Sequence, residues 1–112
     1  MYSKELIRGT ITPVILRLLY PDRKMYGYEI CQKVKELTNQ ELIIREGSLY
    51  PALHKLLDDG LICVEEVMIA NRPRRYYQLT SDGKLEAEQK TNELSRFLKT
   101  MQVFVDKSST IS

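Results

Sequence analysis

The chain of 112 residues contains no tryptophan, one histidine and two cysteines. Zinc sites are built mainly from cysteine and histidine, and this chain has few of either. The separation of Cys31 and Cys63 also matches no metal-ligand spacing. A zinc site is therefore not expected. Both cysteines have apolar neighbours, so we predict that they are reduced core residues. No Ser/His/Asp set, carboxylate pair, glycine-rich phosphate loop or cofactor motif occurs. We therefore expect neither an enzyme nor a cofactor.

Long apolar runs and a strong net charge are also missing. No stretch approaches the roughly 20 apolar residues that span a bilayer, and the N-terminus lacks a secretory pattern, so we expect a cytoplasmic protein with no membrane partner. The length suffices for one compact domain and is too short for two independent cores. The formal net charge is only +2, so any affinity for nucleic acid must come from local placement of charge.

Residues 47–60, GSLYPALHKLLDDG, are predicted to form an amphipathic helix. Its apolar residues recur at the spacing of one helical face: Leu49, Ala52, Leu53, Leu56 and Leu57. We predict that Ser48 caps the helix, that Pro51 lies in its first turn, and that Gly60 supplies a left-handed exit. The helix therefore has a predicted beginning and end.

The opposite face of this helix is polar and carries Ser48, Tyr50, His54, Lys55 and Asp58. Such a mixture of donors and acceptors suits phosphate oxygens and base edges. We assign base reading to Ser48, Tyr50 and His54. Phosphate neutralisation is assigned to Lys55, together with Arg72 and Arg74 further along the chain. An ordinary surface helix is the alternative for this segment taken alone.

Two β-prone runs, residues 61–69 and 76–79, predict a hairpin. The segment between them is predicted to be its tip, and it carries three guanidinium groups: Arg72, Arg74 and Arg75. This charge density favours phosphate, and a solvated turn is the alternative. Period-two alternation puts Arg75 on the same side as Tyr77, which leaves a structural role open for Arg75.

Periodicity predicts two earlier helices. The first carries an aliphatic stripe: Ile7, Ile11, Val14, Ile15, Leu18 and Leu19. Gly9 and Pro13 favour a soft entry to this helix, with Thr10 as its cap. The second is predicted over residues 26–37 and precedes the reading helix. Residues 41–45 form a short extended run that could pair with the hairpin as a third strand.

One long helix is predicted from Thr80 or Ser81 to about residue 106 or 107. Apolar residues follow it at spacings of 4, 3, 4, 3 and 4, from Ala87 through Thr91 to Val105, a heptad-like seam. A stripe this wide needs a partner, and we predict homodimerisation through Leu94, Phe97, Leu98, Met101, Phe104 and Val105. A helix that folds back onto its own subunit is the alternative. Residues 108–112 are predicted to be a disordered tail.

Five sequence blocks in this order resemble the PadR family of bacterial transcriptional regulators. They are GT at 9–10, YGYEI at 26–30, GSLYPAL at 47–53, DGLI at 59–62, and RPRRYYQLT at 72–80 with Gly83. The resemblance implies a mainly α fold with a small β-hairpin: a winged helix-turn-helix over residues 1–80 and a dimerisation helix over residues 81–107. It fades after about Ala87. It also makes Tyr28 a candidate DNA or ligand contact, with packing as the alternative for Tyr26 and Tyr28.

The resemblance implies a homodimeric repressor of a nearby promoter. We expect double-stranded DNA as partner, with an inverted-repeat operator whose successive major grooves accept the two reading helices. The alternative is a winged-helix protein-interaction module without DNA selectivity. A small-molecule effector that relieves repression would refine the first interpretation, but no ligand site is assigned because the chain lacks tryptophan for stacking planar aromatics.

Overall fold

In a computed structural model, residues 2–106 are described and form four helices and a three-stranded antiparallel sheet. In chain order these are α1 (Lys4–Leu19), β1 (Met25–Tyr26), α2 (Gly27–Leu37), α3 (Glu46–Asp58), β2 (Ile62–Ile69), β3 (Arg72–Leu79) and α4 (Ser81–Val105). This mainly helical architecture with a small hairpin confirms the predicted fold. The tail predicted at residues 108–112 lies outside the described residues.

The core lies where α1 packs against α3, α4 and the sheet. Its largest fully buried side chains are Ile15, Leu16, Leu19, Ile30, Leu49 and Leu53. Each belongs to the apolar face of an amphipathic helix, and burying one such side chain contributes roughly 1.5 to 3 kcal/mol. The shared core therefore fixes α3 against α1 and α2.

Helix α1 begins earlier than the sequence predicted. Ser3 is its N-cap, and the Ser3 side chain accepts a hydrogen bond from the Leu6 backbone N–H at 3.4 Å. Thr10 lies inside the helix, where its hydroxyl donates to the Leu6 carbonyl at 3.1 Å. The predicted soft entry capped by Thr10 is therefore wrong. Pro13 is tolerated in the helix interior because the buried side chains that follow it anchor the last turns.

The third strand is β1 rather than residues 41–45. Met25 pairs with Tyr77 and Tyr26 pairs with Tyr76, which gives the strand order β1-β3-β2. Residues 41–45 contain no strand, and Ile44 within them is buried in the core. Tyr26 also serves as the N-cap of α2, so this helix starts at Gly27, one residue later than predicted.

A two-residue turn joins β2 and β3. Ala70 and Asn71 have φ values of 51° and 65°, both in the left-handed region that two-residue hairpin turns need. The three arginines predicted at the tip instead lie within β3, because pairing continues from Ile62 with Leu79 to Ile69 with Arg72. Pro73 fits in β3 because β1 does not reach this far, which leaves that side of the strand unpaired.

Helix α4 runs from Ser81 to Val105, as predicted, and its N-cap is Thr80, whose hydroxyl accepts from the Gly83 N–H at 3.1 Å. Gly83 and Ala87 are buried against the subunit. The later turns project beyond it, which gives the described chain an elongated shape of 61 × 29 × 20 Å. None of the helices within residues 2–106 is both long and apolar enough to cross a membrane.

Candidate nucleic-acid interface

Helix α3 begins at Glu46, and its N-cap lies three residues before the predicted cap, Ser48. Arg45 has extended backbone angles and is the N-cap, without a side-chain hydrogen bond, and its carbonyl accepts from the Ser48 and Leu49 N–H groups at 3.0 and 2.9 Å. Ser48 is therefore inside the first turn rather than the cap, and Pro51 lies in the second turn rather than the first. The predicted boundary was too late because Glu46 and Gly47 are also helical, although they precede Leu49, the first buried residue of α3.

The predicted reading residues lie together on the exposed face of α3, which presents Ser48, Tyr50, His54 and Lys55 to solvent. His54 and Lys55 also border a shallow depression with Asp58 and Asp59. The Lys55 Nζ lies 3.1 Å from the Asp59 Oδ2, an exposed ion pair one helical turn apart. Such pairs are weak, so the Lys55 ammonium can exchange Asp59 for a phosphate.

Tyr50 is less free than its neighbours on α3. Its ring lies against the first residue of α2: a Cβ atom on Gly27 would be 2.6 Å from the Tyr50 hydroxyl oxygen. Desolvation by this packing, followed by the negative charge of Glu46, raises the pKa of Tyr50. Tyr50 is thus held at the junction of α2 and α3.

The arginines of β3 differ in their surroundings. Arg75 is exposed, and its Nε lies 3.7 Å from the Oε2 of Glu66 on β2. Arg74 is half-buried, and its Cζ lies 4.2 Å from the centre of the Tyr26 ring. Arg72 is exposed at the start of the strand. The arginine with a packing role is therefore Arg74, whereas the sequence had left that role open for Arg75.

Three tyrosines gather where β1 meets β3, and we call Tyr26, Tyr28 and Tyr76 the tyrosine cluster. The rings of Tyr26 and Tyr28 are stacked with centres 6.3 Å apart, and the Tyr76 ring meets Tyr26 edge-on at 5.5 Å. Tyr28 remains 58% exposed, so its ring is available to a partner. A side-chain hydrogen bond with Tyr76 is the main cause that raises the pKa of Arg74. The cluster was missed by sequence reasoning, although alternation on β3 does put Arg74 and Tyr76 on one side.

The two cysteines do not share an environment. Cys31 on α2 is half-buried, and this burial raises the pKa of its thiol. Cys63 is exposed, so the prediction that both are core residues is wrong for Cys63. Its neighbour Ile62 points into the core, and strand alternation turns Cys63 outward. Over residues 2–106 no group of three or more His, Cys, Asp or Glu side chains is placed to hold a metal ion.

The predicted dimerisation residues lie along α4, and most of them are exposed. Leu94 and Met101 are half-buried, and the exposed members are Phe97, Leu98, Phe104 and Val105. Leu94 lines an apolar cavity of about 260 Å³ between α1, α2 and α4, with Val14, Leu18 and Leu37 among its walls. The described subunit leaves the apolar side chains beyond Leu94 largely uncovered.

Comparisons with known proteins agree with this geometry. Residues 15–89 match the transcriptional regulator PadR-like family. A transcriptional regulator from Clostridium thermocellum has a similar structure, with a TM-score of 0.83 and 31% identity over 92% of this chain and 100% of that one. Bacillus subtilis PadR in complex with operator DNA is similar with a TM-score of 0.64 and 30% identity over 70% of this chain.

The match covers 45% of the Bacillus subtilis chain. A transcriptional regulator from Mycobacterium tuberculosis is 35% identical over 63 residues, which are 56% of each protein. Each of these two matches thus covers about half of the relative's length. Since the family match covers more than half of this chain and agrees with its winged-helix fold, the chain belongs to the PadR-like family of transcriptional regulators, whose members are not enzymes.

Proposed function

We propose that the protein is a homodimeric, sequence-specific DNA-binding repressor that acts at an inverted-repeat operator. The observation that carries this proposal is a continuous surface that joins the reading helix to the wing formed by β2 and β3. It begins at His54 on α3, continues through Tyr50 against Gly27, and reaches Arg74 on Tyr26. The similar Bacillus subtilis PadR, determined with operator DNA, supports DNA as the partner. A repressor of this kind works in the cytoplasm.

A two-fold dimer gives this surface its operator geometry. The uncovered side chains of α4 support pairing of two subunits through their last helices, because burial of each large apolar side chain contributes roughly 1.5 to 3 kcal/mol. Such a dimer places two copies of α3 in successive major grooves about 34 Å apart. Two-fold symmetry of the protein then requires an inverted repeat in the DNA.

The surface divides into base-reading and phosphate-binding residues. Ser48, Tyr50 and His54 read bases, because their donors and acceptors lie on the exposed face of α3. Phosphate neutralisation is assigned to Lys55, Arg72 and Arg74, and Arg75 and Tyr28 are further candidate DNA contacts. His54 is the strongest candidate for sequence preference, since Tyr50 is held against α2.

Salt dependence tests the phosphate contacts. If Lys55, Arg72 and Arg74 of both subunits neutralise phosphates, about six counterions leave and log K against log salt falls with a slope of roughly −5. The measurement is fluorescence anisotropy of a labelled duplex carrying the upstream region of the gene, at two salt concentrations, with a scrambled competitor. Selective binding with a steep slope is expected, and a flat slope contradicts the proposal.

Substitutions separate the two classes of contact. Arg72→Gln should weaken binding to all sequences alike and reduce the steepness of the salt slope by about 2 per dimer, since one contact is lost in each subunit. His54→Ala should change the preference between operator variants. Arg96→Gln on α4 is the matched control for loss of one exposed charge, and it should leave the slope unchanged. Equal loss of selectivity in the Arg72 and His54 variants would overturn the assignment.

One observation favours a second candidate, a winged-helix module that binds a protein. The wing carries acidic as well as basic groups, since Glu66 faces Arg75 and the Oε2 of Glu65 lies 2.9 Å from the Lys24 Nζ. A mixed surface of this kind also suits a protein partner. Absence of selective DNA binding in the anisotropy experiment would favour this candidate. A small-molecule effector that relieves repression belongs to the first proposal, and its test is loss of operator binding on addition of the compound.

A further inference from the structure

Arg74 is the arginine of β3 that is held by aromatic rings. Its Cζ lies 4.2 Å above the centre of Tyr26, a distance at which a guanidinium is attracted by the ring face. Tyr76 lies two residues along the same side of β3, and its ring meets the edge of the Tyr26 ring at 5.5 Å. The guanidinium is therefore held over a ring face, whereas Arg75 is exposed and its Nε lies 3.7 Å from the Oε2 of Glu66.

Tyr26 is itself firmly placed. Its backbone pairs with Tyr76 in the sheet, and its N–H donates to the Oε1 of Glu29 at 3.2 Å at the start of α2. Its ring is stacked with Tyr28 and meets the edge of Tyr76. A ring fixed by a strand, a helix start and two neighbouring rings provides a rigid platform for the side chain above it.

We infer that Tyr26 is a positioning residue that holds the guanidinium of Arg74 ready for a DNA phosphate. The inference rests on the DNA-binding function proposed above. A guanidinium held over a ring face can still present in-plane N–H groups to phosphate oxygens for paired hydrogen bonds. Fixing it before binding reduces the ordering cost paid when the complex forms. A contact of this kind at an exposed site corresponds to about a two- to fivefold change in affinity.

A double-mutant cycle measures this coupling. The variants are Tyr26→Leu, Arg74→Gln and their combination, with operator affinity read by fluorescence anisotropy. Tyr26→Leu should weaken binding about two- to fivefold when Arg74 is present and have no further effect when residue 74 is glutamine. Tyr26→Phe keeps the ring and should retain the affinity of the natural protein.

Arg75 provides the matched control. Arg75→Gln removes the same charge from the adjacent residue, whose side chain lies on the other side of the strand. The effects of Tyr26→Leu and Arg75→Gln should therefore add. If Tyr26→Leu couples equally to both arginines, its effect is a general loss of wing structure and the positioning role is overturned.

A measurement without DNA separates this inference from the proposed function. In the free protein, the Nε–H resonance of Arg74 should carry a ring-current shift that Tyr26→Phe retains and Tyr26→Leu loses. If Tyr26→Leu fails to fold, trifluorophenylalanine at position 26 preserves the ring shape and weakens its negative face, and its affinity is then compared with that of Tyr26→Phe. An unchanged affinity overturns the positioning role.

The outcomes are distinguishable. Lack of selective DNA binding by the natural protein overturns the proposed function, and the role of Tyr26 in DNA binding falls with it. Normal operator binding with additive effects of Tyr26→Leu and Arg74→Gln overturns the positioning role alone. If the effect of Tyr26→Leu depends on Arg74 but adds to that of Arg75→Gln, the proposed function and the positioning role are both supported.

Discussion

The two halves of α4 carry one apolar seam but stand in different surroundings. In the proximal half, residues 81–94, Gly83 and Ala87 are buried and Leu94 is half-buried. In the distal half, residues 95–105, Phe97 is 55% exposed and Phe104 is 66% exposed. The spacing of apolar residues is the same in both halves, so periodicity alone does not tell which half packs within the subunit.

The proximal half is joined to the subunit by polar contacts as well as by packing. The Thr80 hydroxyl donates to the Gly60 carbonyl at 2.7 Å, which ties the start of α4 to the end of the reading-helix segment. Further along, the Lys84 Nζ lies 2.6 Å from the Asp22 Oδ1, and the Tyr20 hydroxyl donates to Glu88 at 2.5 Å. These contacts fix the direction in which α4 leaves the domain.

Side-chain size changes between the halves. The proximal seam uses Gly83, Ala87 and Thr91, which allow α4 to lie close against its own subunit. The distal seam uses phenylalanine, leucine and methionine, whose large side chains extend beyond the subunit core. Small residues followed by large ones therefore mark a change of partner along one helix, from the subunit core to a second copy in the proposed dimer.

The largest expected effect is at Gly83 in the proximal half. A Cβ atom there would lie 1.8 Å from the Leu61 carbonyl oxygen and 2.9 Å from its carbonyl carbon, and these are backbone atoms that cannot rotate away. Gly83→Ala should therefore lower the free energy of unfolding by about 3 kcal/mol or more, or prevent folding. Urea denaturation monitored by circular dichroism measures this change.

Ser95→Ala is the control in the distal half, because Ser95 is exposed on the same helix. We expect its free energy of unfolding to stay within about 0.5 kcal/mol of the natural protein. If Gly83→Ala has the same free energy of unfolding as the natural protein, α4 does not lie against Leu61 in solution. The contrast between the two halves would then be lost.

A substitution at Leu98 should change the free energy of unfolding less than Gly83→Ala does. Its main effect is expected on the association of two subunits. Leu98 is 60% exposed on the seam, so Leu98→Glu should leave the subunit folded. In the proposed dimer each subunit would lose the burial of one leucine, which contributes roughly 1.5 to 3 kcal/mol, and would bury a glutamate instead. The dimer should therefore be weakened about a hundredfold or more. Sedimentation velocity should show a shift from dimer to monomer.

Val103 provides a matched control for this substitution. Its side chain is 53% exposed on the side of α4 away from the seam. Val103→Glu introduces the same charge in the same half of the helix and should leave the dimer intact. The distal seam does not pair two subunits if Leu98→Glu sediments as the natural protein does. The same conclusion follows if Leu98→Glu and Val103→Glu dissociate to the same extent.

The helices were predictable because burial repeats with their geometry. Residues 47–60 gave the correct apolar face of α3, since Leu49, Leu53 and Leu56 recur at helical spacing and each is buried. The bounds of α4 were equally clear, because Thr80 is a favourable N-cap at its beginning and the apolar repeat continues to Val105 at its end. These signals are local, so the sequence carries them without knowledge of the partner elements.

The errors in the sheet occurred where pairing between distant residues decides the structure. Strand β1 has two residues, and its existence depends on pairing with Tyr76 and Tyr77 about fifty positions later. The turn at Ala70 and Asn71 lacks the glycine that usually marks it, so the strand boundary was placed too late. The tyrosine cluster joins positions 26 and 76 for the same reason. The candidate site was thus predicted in its exposed residues but not in the contacts between them.

The smallest expected effect concerns the Tyr20 contact with the proximal half. Its hydrogen bond to Glu88, then desolvation and the charge of Glu88, raise the pKa of Tyr20 above its ordinary value of 10.0. A group whose pKa is higher in the folded state gives its stabilisation fully below the unfolded pKa and loses it as the pH rises through the folded pKa. The Tyr20–Glu88 contribution should therefore be present at neutral pH and disappear above about pH 10.

Tyr20→Phe removes the donor and should produce a small decrease in the unfolding midpoint at pH 8. Because tyrosine and lysine side chains elsewhere also titrate at high pH, the informative quantity is the difference between the natural protein and this variant from pH 8 to 11. The difference should shrink as the pH rises, since the phenol of the natural protein ionises and then repels Glu88. A constant difference would mean that Tyr20 packs against α4 without donating to Glu88, and the proximal half would then depend on Lys84 and Gly83 for its attachment.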